Sequence, residues 1–505
     1  MSDPEIEACL GQIAGARERL GLVLEQVREK GVLNPLDWRE WVRKHPVECT
    51  LGAVAAGFLL AGPSGSRQED GRATLLDDLT RAGFEPSVFD TTFSTREAFE
   101  ERLRTWDGTR VVGIYTNLVT RAAVLDAARR AKSHGFAVVL GGPESANYPE
   151  EYLARGADVV VVGEGEVTMS ELLPALAARG PHRLHGVAGL VFRDEDGAVV
   201  RTPERAKLPD LDVLPWPDRE AIDQQRYVDV WREHHGAGSV NLITARGCAY
   251  KCNWCSHAVF GFSHRRRSPA GTADEVAHIL ERWSPDQVWY ADDVFTINHS
   301  WLFEYASEMK RRNLKVPFET ISRADRMMKD EVLEALAGLG CTRIWIGSES
   351  GSQRILDAMQ RGVTVEQVRW ATKAAQRHGI QVGMFLMWGY DGETFEDIEA
   401  TVEHVKETNP DVFFTTVSYP IRNTGYFEKV KDRVVLDKEW EVAGDRDYRI
   451  RGRRSRSYYK LADAWLRNAV AASRLPADDP AAAAKLDLAE RARADLASAP
   501  EEAEA

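Results

Sequence analysis

Residues 246–255 read Arg-Gly-Cys-Ala-Tyr-Lys-Cys-Asn-Trp-Cys and hold three of the six cysteines of the chain, Cys248, Cys252 and Cys255. Thiolates are soft ligands that suit zinc or an iron–sulfur cluster, and cysteines on one short loop can converge on a single inorganic centre. A closed zinc site would need a fourth ligand, which His257 would supply. A cubane cluster held by three thiolates would instead leave one iron open to a substrate or cofactor. The spacing therefore predicts a metal centre and leaves these alternatives open.

The cysteine spacing, with Trp254 just before the last cysteine, resembles the cluster loop of radical S-adenosylmethionine (SAM) enzymes. The resemblance implies a [4Fe-4S] cluster on Cys248, Cys252 and Cys255 and places Trp254 beside SAM. In that family the open iron binds SAM, and an electron from the cluster splits it to a 5′-deoxyadenosyl radical. We favour this interpretation over zinc because the motif also follows a predicted strand, where a barrel enzyme carries its active site.

Composition limits the class of protein. At 505 residues the chain is long enough for two or three domains, and 44% hydrophobic with 28% charged residues is typical of a soluble globular protein. The net charge of −13 argues against a general nucleic-acid binder. The apolar stretch at residues 51–62 is shorter than the ~20 residues of a membrane span. Because no signal-peptide pattern opens the sequence and the cysteines form no disulfide framework, we expect a cytoplasmic protein.

The first half of the chain alternates strands and helices. A helical extension is predicted for residues 1–48, with no chemistry assigned to it. Predicted strands follow at residues 57–61, 86–89, 111–115, 137–140 and 158–162, and predicted helices between them include residues 75–82, 96–104 and 121–134. Short apolar strands with crossover helices predict a parallel, doubly wound α/β sheet, which gathers ligands beyond the carboxyl ends of its strands.

Three runs in this half carry a second resemblance: VVGIYT at residues 111–116, LGGPE at residues 140–144 and GEGE at residues 163–166. They look like the cobalamin-binding domain that precedes many radical SAM barrels, which implies a flavodoxin-like fold for residues 49–180. The resemblance places the corrin over the strand ends. Its implied cobalamin contacts are Tyr115, Thr116, Gly141, Gly142, Pro143, Gly163, Glu164 and Gly165.

One departure from other cobalamin proteins concerns the ligand to cobalt. The Asp-x-His-x-x-Gly motif that supplies a histidine in those proteins is absent, since Ser64-Gly65-Ser66-Arg67 follows the first predicted strand. The radical-enzyme branch commonly lacks this histidine as well. Cobalamin binding is therefore expected from the glycine-rich turns alone.

Residues 181–238 are predicted to connect two domains. A hairpin is expected at residues 191–200, with Asp196-Gly197 in its turn. Prolines then interrupt regular structure, as is typical of a linker. Residues 239–427 predict an open (β/α)6 partial TIM barrel, with strands at residues 240–244, 287–290, 316–320, 343–347, 381–387 and 412–418 and its active site at their carboxyl ends.

The strand ends of this barrel supply the candidate SAM contacts. Asp292 and Asp293 follow the second strand, where the family contacts the SAM amino group, although Asp293 is equally typical of a helix cap. After the third strand, Arg323 would pair with the SAM carboxylate, with a surface salt bridge as the alternative. The resemblance places Glu349 and Ser350 at the ribose and Gly389 near adenine, and Tyr390-Asp391 replaces the family's usual small residue and proline.

Two arginine-rich segments have less specific interpretations. Arg267 stands where the family often has an arginine before Ser-Pro, and is a candidate for an anion contact. The segment Arg446–Arg456 contains six arginines; it would embrace an acidic substrate or be a solvated charged segment. Residues 428–505 are predicted to form a helical C-terminal region, with a helix at residues 458–475 and a loosely helical or disordered acidic tail after Pro480.

The combined resemblance is to cobalamin-dependent radical SAM enzymes, including methyltransferases and the anaerobic Mg-protoporphyrin ester cyclase group. It implies C-methylation of an unactivated carbon in a small-molecule substrate, with an electron donor such as flavodoxin or ferredoxin. Oxidative cyclisation or rearrangement is the alternative within the family. A non-catalytic zinc-binding or sensor protein is the alternative of another class. No individual catalytic side chain is predicted.

Overall fold

The computed structural model describes residues 57–61, 84 and 86–499 of the chain, with the backbone alone for residues 57–61. These residues belong to one compact unit, Thr50–Ala505. The predicted N-terminal helix, the predicted helix at residues 75–82 and the loop at residues 64–67 lie outside the described residues.

The first sheet has seven strands in the order β2-β1-β3-β4-β5-β6-β7. Their bounds are β1 (Gly57–Ala61), β2 (Pro86–Asp90), β3 (Val111–Tyr115), β4 (Ala137–Gly141), β5 (Val159–Val161), β6 (Leu190–Arg193) and β7 (Val199–Arg201). The central strands β3, β4 and β5 are parallel, as predicted. The predicted hairpin forms as β6 and β7 and extends this sheet with antiparallel pairing.

The prediction of an all-parallel sheet is wrong for β1, which runs antiparallel to both β2 and β3. A strand of apolar residues can be buried whether it runs parallel or antiparallel to its neighbours. Its composition therefore does not reveal its direction. Helices cover both faces of this sheet: α1 (Arg96–Arg104), α2 (Arg121–Ser133), α3 (Pro143–Asn147), α4 (Pro149–Leu153) and α5 (Gly165–Arg179). Because strand side chains alternate, Val112 and Leu140 join the core under α1 and α2, while Val139 joins the core under α5.

The second sheet has six parallel strands in the order β15-β14-β13-β12-β11-β8, which confirms the open partial barrel. The remaining strands of the chain are β8 (Ser239–Leu242), β9 (Ala245–Arg246), β10 (Arg265–Arg266), β11 (Gln287–Tyr290), β12 (Phe318–Ser322), β13 (Cys341–Glu349), β14 (Gln381–Trp388), β15 (Val412–Val417), β16 (Val434–Val435) and β17 (Arg449–Ile450). The short strands β9 and β10 pair with each other at the start of the cysteine loop.

Ten further helices are described, most of them around the barrel: α6 (Gln224–His235), α7 (Pro269–Trp283), α8 (His299–Arg311), α9 (Asp330–Leu339), α10 (Gln353–Ala358), α11 (Val365–Arg377), α12 (Phe395–Thr408), α13 (Gly425–Val430), α14 (Arg456–Ser473) and α15 (Pro480–Ser498). The helix α7 begins where Ser268 accepts a hydrogen bond from the Gly271 amide. The tail after Pro480 is helical, because Ala489 and Leu496 of α15 are buried in a core shared with Trp465 of α14. None of the described helices combines the length and apolar character that crossing a membrane requires.

Candidate functional site: a cavity shared by the two sheets

A cavity of about 800 Å³ is bordered by the carboxyl ends of strands from both sheets. Tyr115 and Gly141 reach it from the first sheet, and Ile321 and Gly347 reach it from the second. The three cysteines of the loop after β8 also line it. Ligands are expected at the carboxyl ends of parallel strands, which both sheets contribute here, so the cavity is the candidate site for both predicted cofactors.

The cysteines lie close together on this wall. Cys252 is buried, and Cys248 and Cys255 are half-buried. Cys252 Sγ accepts hydrogen bonds from Arg323 Nη1 and Arg361 Nη1, each at 3.7 Å. The hydrogen bond from the Cys255 thiol and the two guanidinium groups lower the pKa of Cys252 below the usual range of a thiol. That hydrogen bond and burial raise the pKa of Cys255, so a thiolate, the form that binds metal, is favoured at Cys252.

The zinc alternative is not supported by the arrangement of the side chains. Throughout the described residues, no three His, Cys, Asp or Glu side chains are placed to hold a single metal ion. The ring of His257 packs on Phe262 at 4.2 Å between centroids. The described residues thus do not bring Cys248, Cys252, Cys255 and His257 together as one set of zinc ligands.

The two aspartates after β11 have different roles. Asp293 lines the cavity, and burial raises the pKa of its carboxyl group. Asp292 lies outside the cavity lining and is fully buried. It accepts hydrogen bonds from the Thr244 amide at 2.7 Å and from Arg266 at 2.6 Å. Asp292 thus holds the chain segment that leads into the cysteine loop. Its carboxylate oxygens are already hydrogen-bonded there, so they are not free to contact SAM in this structure.

Arg323 and Glu349, which were predicted to contact SAM, both line the cavity. The Arg323 guanidinium lies 3.6 Å from the centre of the Tyr250 ring, and its Nε donates to Asp325 at 2.9 Å. It is buried, so the surface salt-bridge alternative is wrong. Burial raises the pKa of Glu349 to about 7, and Arg361 Nε lies 3.9 Å from its carboxylate.

Arg361 is a cavity residue that the sequence analysis missed. It lies between α10 and α11, and both of its neighbours, Gln360 and Gly362, have positive φ angles of 53° and 62°. Its Nη2 donates to the Gly347 carbonyl at 2.9 Å. Arg361 follows no strand, so the search along strand ends could not find it; the only signal in the sequence is its place in a tight turn before a glycine.

Trp254 lines the cavity and packs against a cluster that includes Ile355 and Met359. Ser350 and Gly389 lie outside the lining. The Ser350 hydroxyl is paired with Thr401 at 3.2 Å. A Cβ atom on Gly389 would lie 2.7 Å from the Tyr459 ring of α14, so this turn is covered by the C-terminal region.

On the other side of the cavity, most of the predicted cobalamin residues are part of the lining: Tyr115, Gly141, Gly142, Pro143, Gly163, Glu164 and Gly165. Thr116 is the exception, because it is buried and its hydroxyl donates to the Gly141 carbonyl at 2.9 Å. A Cβ atom on Gly141 or Gly165 would meet nothing within 4 Å. Bare backbone thus borders open space, as a bulky ligand requires, and these turns fit cobalamin.

Two predicted cavity contacts are engaged elsewhere. The Glu164 carboxylate accepts hydrogen bonds from Arg246 and Arg265, so it is not free for a ligand. Arg267 lies outside the cavity lining, and its guanidinium donates to the Leu214 and Pro215 carbonyls at 3.1 and 2.9 Å. The linker thus occupies these donors of Arg267, and its anion contact stays a prediction.

The segment Arg446–Arg456 is largely engaged by other parts of the protein. Arg449 pairs with Asp437, and Arg453 donates to the Ser418 carbonyl at 2.5 Å. Arg446 lies over the Tyr419 ring at 5.4 Å. This geometry favours a structural role for the segment over an embrace of an acidic substrate.

Comparisons with known proteins agree with both halves of the site. The B12 binding domain model matches residues 70–173, and the Radical SAM superfamily model matches residues 242–405. The uncharacterized methyltransferase PH0819 of Pyrococcus horikoshii is 29% identical over 65% of this chain and 71% of that protein. The anaerobic magnesium-protoporphyrin IX monomethyl ester cyclase of Rubrivivax gelatinosus is 28% identical over 60% of this chain, and the match covers about half of that protein, 54%.

Solved structures share the fold. The radical SAM methyltransferase TsrM of Kitasatospora setae, with cobalamin and a [4Fe-4S] cluster bound, has a TM-score of 0.58 at 20% identity, over 73% of each chain. The cobalamin-dependent radical SAM enzyme OxsB has a TM-score of 0.60 at 17% identity, over 84% of this chain and 68% of that chain. The cofactors of such a pair of domains are a [4Fe-4S] cluster, SAM and cobalamin. The chain is therefore an enzyme that carries a radical SAM domain, matched at residues 242–405, preceded by a B12-binding domain, matched at residues 70–173.

Proposed function

We propose that the protein is a cobalamin-dependent methyltransferase that methylates an unactivated carbon of a small-molecule substrate. The observation that carries this proposal is the shared cavity. The three cysteine thiols and the glycine-rich turns of the B12-binding domain line the same space of about 800 Å³. One substrate can therefore face both cofactors, as radical formation and methyl transfer at one carbon require.

In this proposal Cys248, Cys252 and Cys255 hold the cluster. SAM would be bound beside it by Asp293, Arg323 and Glu349, with Trp254 packed nearby, and Arg361 joins this set. Cobalamin would lie against Tyr115, Gly141, Gly142, Pro143, Gly163 and Gly165. Together these bound groups would supply a radical at the substrate carbon and a methyl group for transfer.

The side chains of the chain itself have positioning tasks. Arg323 and Arg361 present fixed guanidinium groups to one edge of the cavity, and such groups bind carboxylates in defined geometry. Apolar side chains, among them Val161, Met169 and Phe385, cover much of the remaining wall. They would exclude water from a reactive intermediate while the substrate is aligned.

Oxidative cyclisation is the second candidate. The specific observation in its favour is that magnesium-protoporphyrin ester cyclases are nearly as similar to this chain as PH0819 is, at 28% against 29% identity. Shared fold does not decide between these outcomes. Product mass does, because methylation adds a methyl group whereas oxidative cyclisation removes hydrogen.

Three further assignments belong to the same proposal. A low-potential electron carrier such as flavodoxin or ferredoxin would reduce the cluster. A cytoplasmic location would suit an oxygen-sensitive centre. The domain bounds would be residues 1–48, 49–180, 181–238, 239–427 and 428–505.

The proposal is tested with protein purified without oxygen and reconstituted with iron, sulfide and hydroxocobalamin. It is incubated with methyl-deuterated SAM, dithionite with methyl viologen, and a small-molecule extract of the source cells. We expect labelled methyl groups in a carbon-methylated product, together with 5′-deoxyadenosine. Formation of 5′-deoxyadenosine with a product that has lost hydrogen and carries no label would overturn methylation in favour of cyclisation. Cys252→Ala is the control and should form neither compound.

A further inference from the structure

The loop that carries the three cysteines is closed by the pairing of two short strands, and this pairing places two positive charges side by side. In the antiparallel pair of β9 with β10, Arg246 lies directly opposite Arg265. Like charges in that relation destabilise the pairing of strands. The two side chains are only 19% and 11% exposed, so solvent screens their repulsion weakly. We call the paired strands β9 and β10 the neck of the cysteine loop. The neck therefore requires an anion between these two arginines.

That anion comes from the B12-binding domain. Glu164 Oε1 accepts hydrogen bonds from Arg246 Nη1 at 2.9 Å and from Arg265 Nη1 at 3.0 Å, and Oε2 accepts a second bond from Arg265 Nη1 at 2.8 Å. The side chain is 7% exposed. Burial tends to raise the pKa of Glu164, but the hydrogen bonds from the arginines outweigh it and lower the pKa, so the carboxylate is ionised. Glu166 adds a contact to Arg246 Nη2 at 2.5 Å.

Glu164 is also part of the proposed cobalamin turn. Its neighbours Gly163 and Gly165 line the cavity, and α5 begins at Gly165. The cysteine loop approaches the same turn directly, because a Cβ atom on Gly163 would lie 3.8 Å from the Val259 carbonyl oxygen. One carboxylate thus links the turn of one domain to the neck of the loop of the other.

We infer that Glu164 is a positioning residue that couples occupancy of the cobalamin turn to closure of the cysteine loop. A ligand held against Gly163 and Gly165 restricts this turn, which keeps Glu164 between Arg246 and Arg265 and the neck closed. Bound cobalamin therefore stabilises the closed loop that holds the cluster, which slows the loss of iron. Because the two binding free energies are coupled, the intact cluster in turn strengthens cobalamin binding. The inference rests on the cofactors of the proposed function and does not depend on methyl transfer.

The test measures how fast an iron chelator removes iron from the reconstituted protein, with and without hydroxocobalamin. Glu164→Gln keeps the size of the side chain and removes its charge. Glu171→Gln is the matched control, because Glu171 also lies on α5 and pairs with an arginine, Arg205, but is 47% exposed. We expect hydroxocobalamin to slow iron loss by roughly fivefold or more in the wild type and in Glu171→Gln, and to have no effect in Glu164→Gln.

Either of two results overturns the inference: equal rates with and without hydroxocobalamin in the wild type, or full protection in Glu164→Gln. A second measurement needs no cofactor. Amide hydrogen exchange at residues 248–264 should be faster in apo Glu164→Gln than in apo Glu171→Gln, and equal exchange contradicts the role of Glu164. If Glu164→Gln does not fold, the double variant Glu164→Gln/Arg265→Gln removes the anion together with one of the two like charges, so it should fold and still lose the protection by hydroxocobalamin; full protection in the double variant overturns the inference. If hydroxocobalamin slows iron loss but no labelled product forms, this inference stands and the proposed methylation fails.

Discussion

Arg361 Nη1 lies 3.7 Å from Cys252 Sγ, although 109 positions separate the two residues in the chain. Arg323 brings a second guanidinium to the same sulfur at 3.7 Å. Both arginines are buried, with 8% and 2% of their surface exposed, so their positions are held by the surrounding protein. Two fixed cations beside the proposed cluster favour an anion there, and the SAM carboxylate supplies one in the proposed function.

We predict that Arg361→Gln weakens SAM binding without loss of iron. A charge-assisted hydrogen bond contributes roughly 1.5–3 kcal/mol, so affinity should fall by roughly tenfold or more. Equilibrium dialysis of labelled SAM against the reconstituted, oxygen-free protein measures this, with iron content determined on the same sample. Arg354→Gln is the control, because that arginine is 57% exposed and pairs with Asp397. Equal SAM affinity in the two variants would exclude Arg361 from the SAM site.

The adjacent glycines Gly141 and Gly142 should respond differently to alanine. A Cβ atom on Gly142 would lie 2.4 Å from the Thr116 carbonyl oxygen, and its φ of 101° disfavours any side chain. Gly142→Ala should therefore lower the free energy of unfolding by at least about 1 kcal/mol. On Gly141 a Cβ would meet nothing within 4 Å, so Gly141→Ala should keep stability and place a methyl group in the cavity.

Chemical denaturation and hydroxocobalamin titration distinguish these two effects. Gly141→Ala should bind hydroxocobalamin more weakly than the wild type at unchanged stability. Wild-type affinity in Gly141→Ala would place the corrin away from this turn. Unchanged stability in Gly142→Ala would contradict the close approach of Thr116.

A buried ion cluster joins the B12-binding domain to the C-terminal region. Arg121 pairs with Glu144 and Asp445, all with side chains no more than 3% exposed, and its guanidinium lies 4.2 Å from the Trp440 ring. Arg121→Met would leave two carboxylates without their cation. Because uncompensated buried charge is costly, we expect a loss of roughly 3–5 kcal/mol in the free energy of unfolding.

Urea denaturation of the apo protein measures this loss. The exposed pair of Arg104 with Glu101 provides the control, since Arg104→Met should cost less than about 1 kcal/mol. Similar losses in the two variants would show that the buried cluster adds no stability beyond that of a surface pair.

Stability should depend on pH through Glu393. Burial raises the pKa of this carboxyl group to about 8, and its Oε2 accepts a hydrogen bond from the Gly389 amide at 2.6 Å. The folded state therefore favours the protonated form, and this stabilisation is full below the unfolded pKa and is lost as pH rises through about 8. Glu393→Gln should remove that part of the pH dependence.

The measurement is the free energy of unfolding of the apo protein between pH 5 and pH 9. Relative to Glu393→Gln, the wild type should lose stability across this range. Glu396→Gln is the control, because hydrogen bonds to its backbone and to Thr394 lower the pKa of Glu396. A constant difference between the wild type and Glu393→Gln would contradict the burial effect.

The strands that surround the site were predictable because each is a short apolar run between turn residues. β3 (Val111–Tyr115) and β11 (Gln287–Tyr290) have the predicted bounds. The direction of β1 was not predictable, since an apolar run carries no sign of its pairing. The cysteine loop could be placed because its residues are neighbours in sequence.

Side-chain direction in loops was the limit of prediction. Asp292 and Asp293 are adjacent at a strand end, yet one holds the chain in place and the other faces the cavity. Arg267 stands near the cysteines in sequence but binds the linker, while Arg361, far away in sequence, touches Cys252. These differences depend on long-range packing, which the pattern of one segment does not contain.

The most direct test of the shared cavity is the iron, cobalt and zinc content of protein reconstituted without oxygen with iron, sulfide and hydroxocobalamin. We predict about four irons and about one cobalt per chain in the wild type, with iron lost from Cys252→Ala. Iron without cobalt would contradict a working B12-binding domain and remove the basis for methyl transfer. Zinc in place of iron would contradict the radical SAM account as a whole.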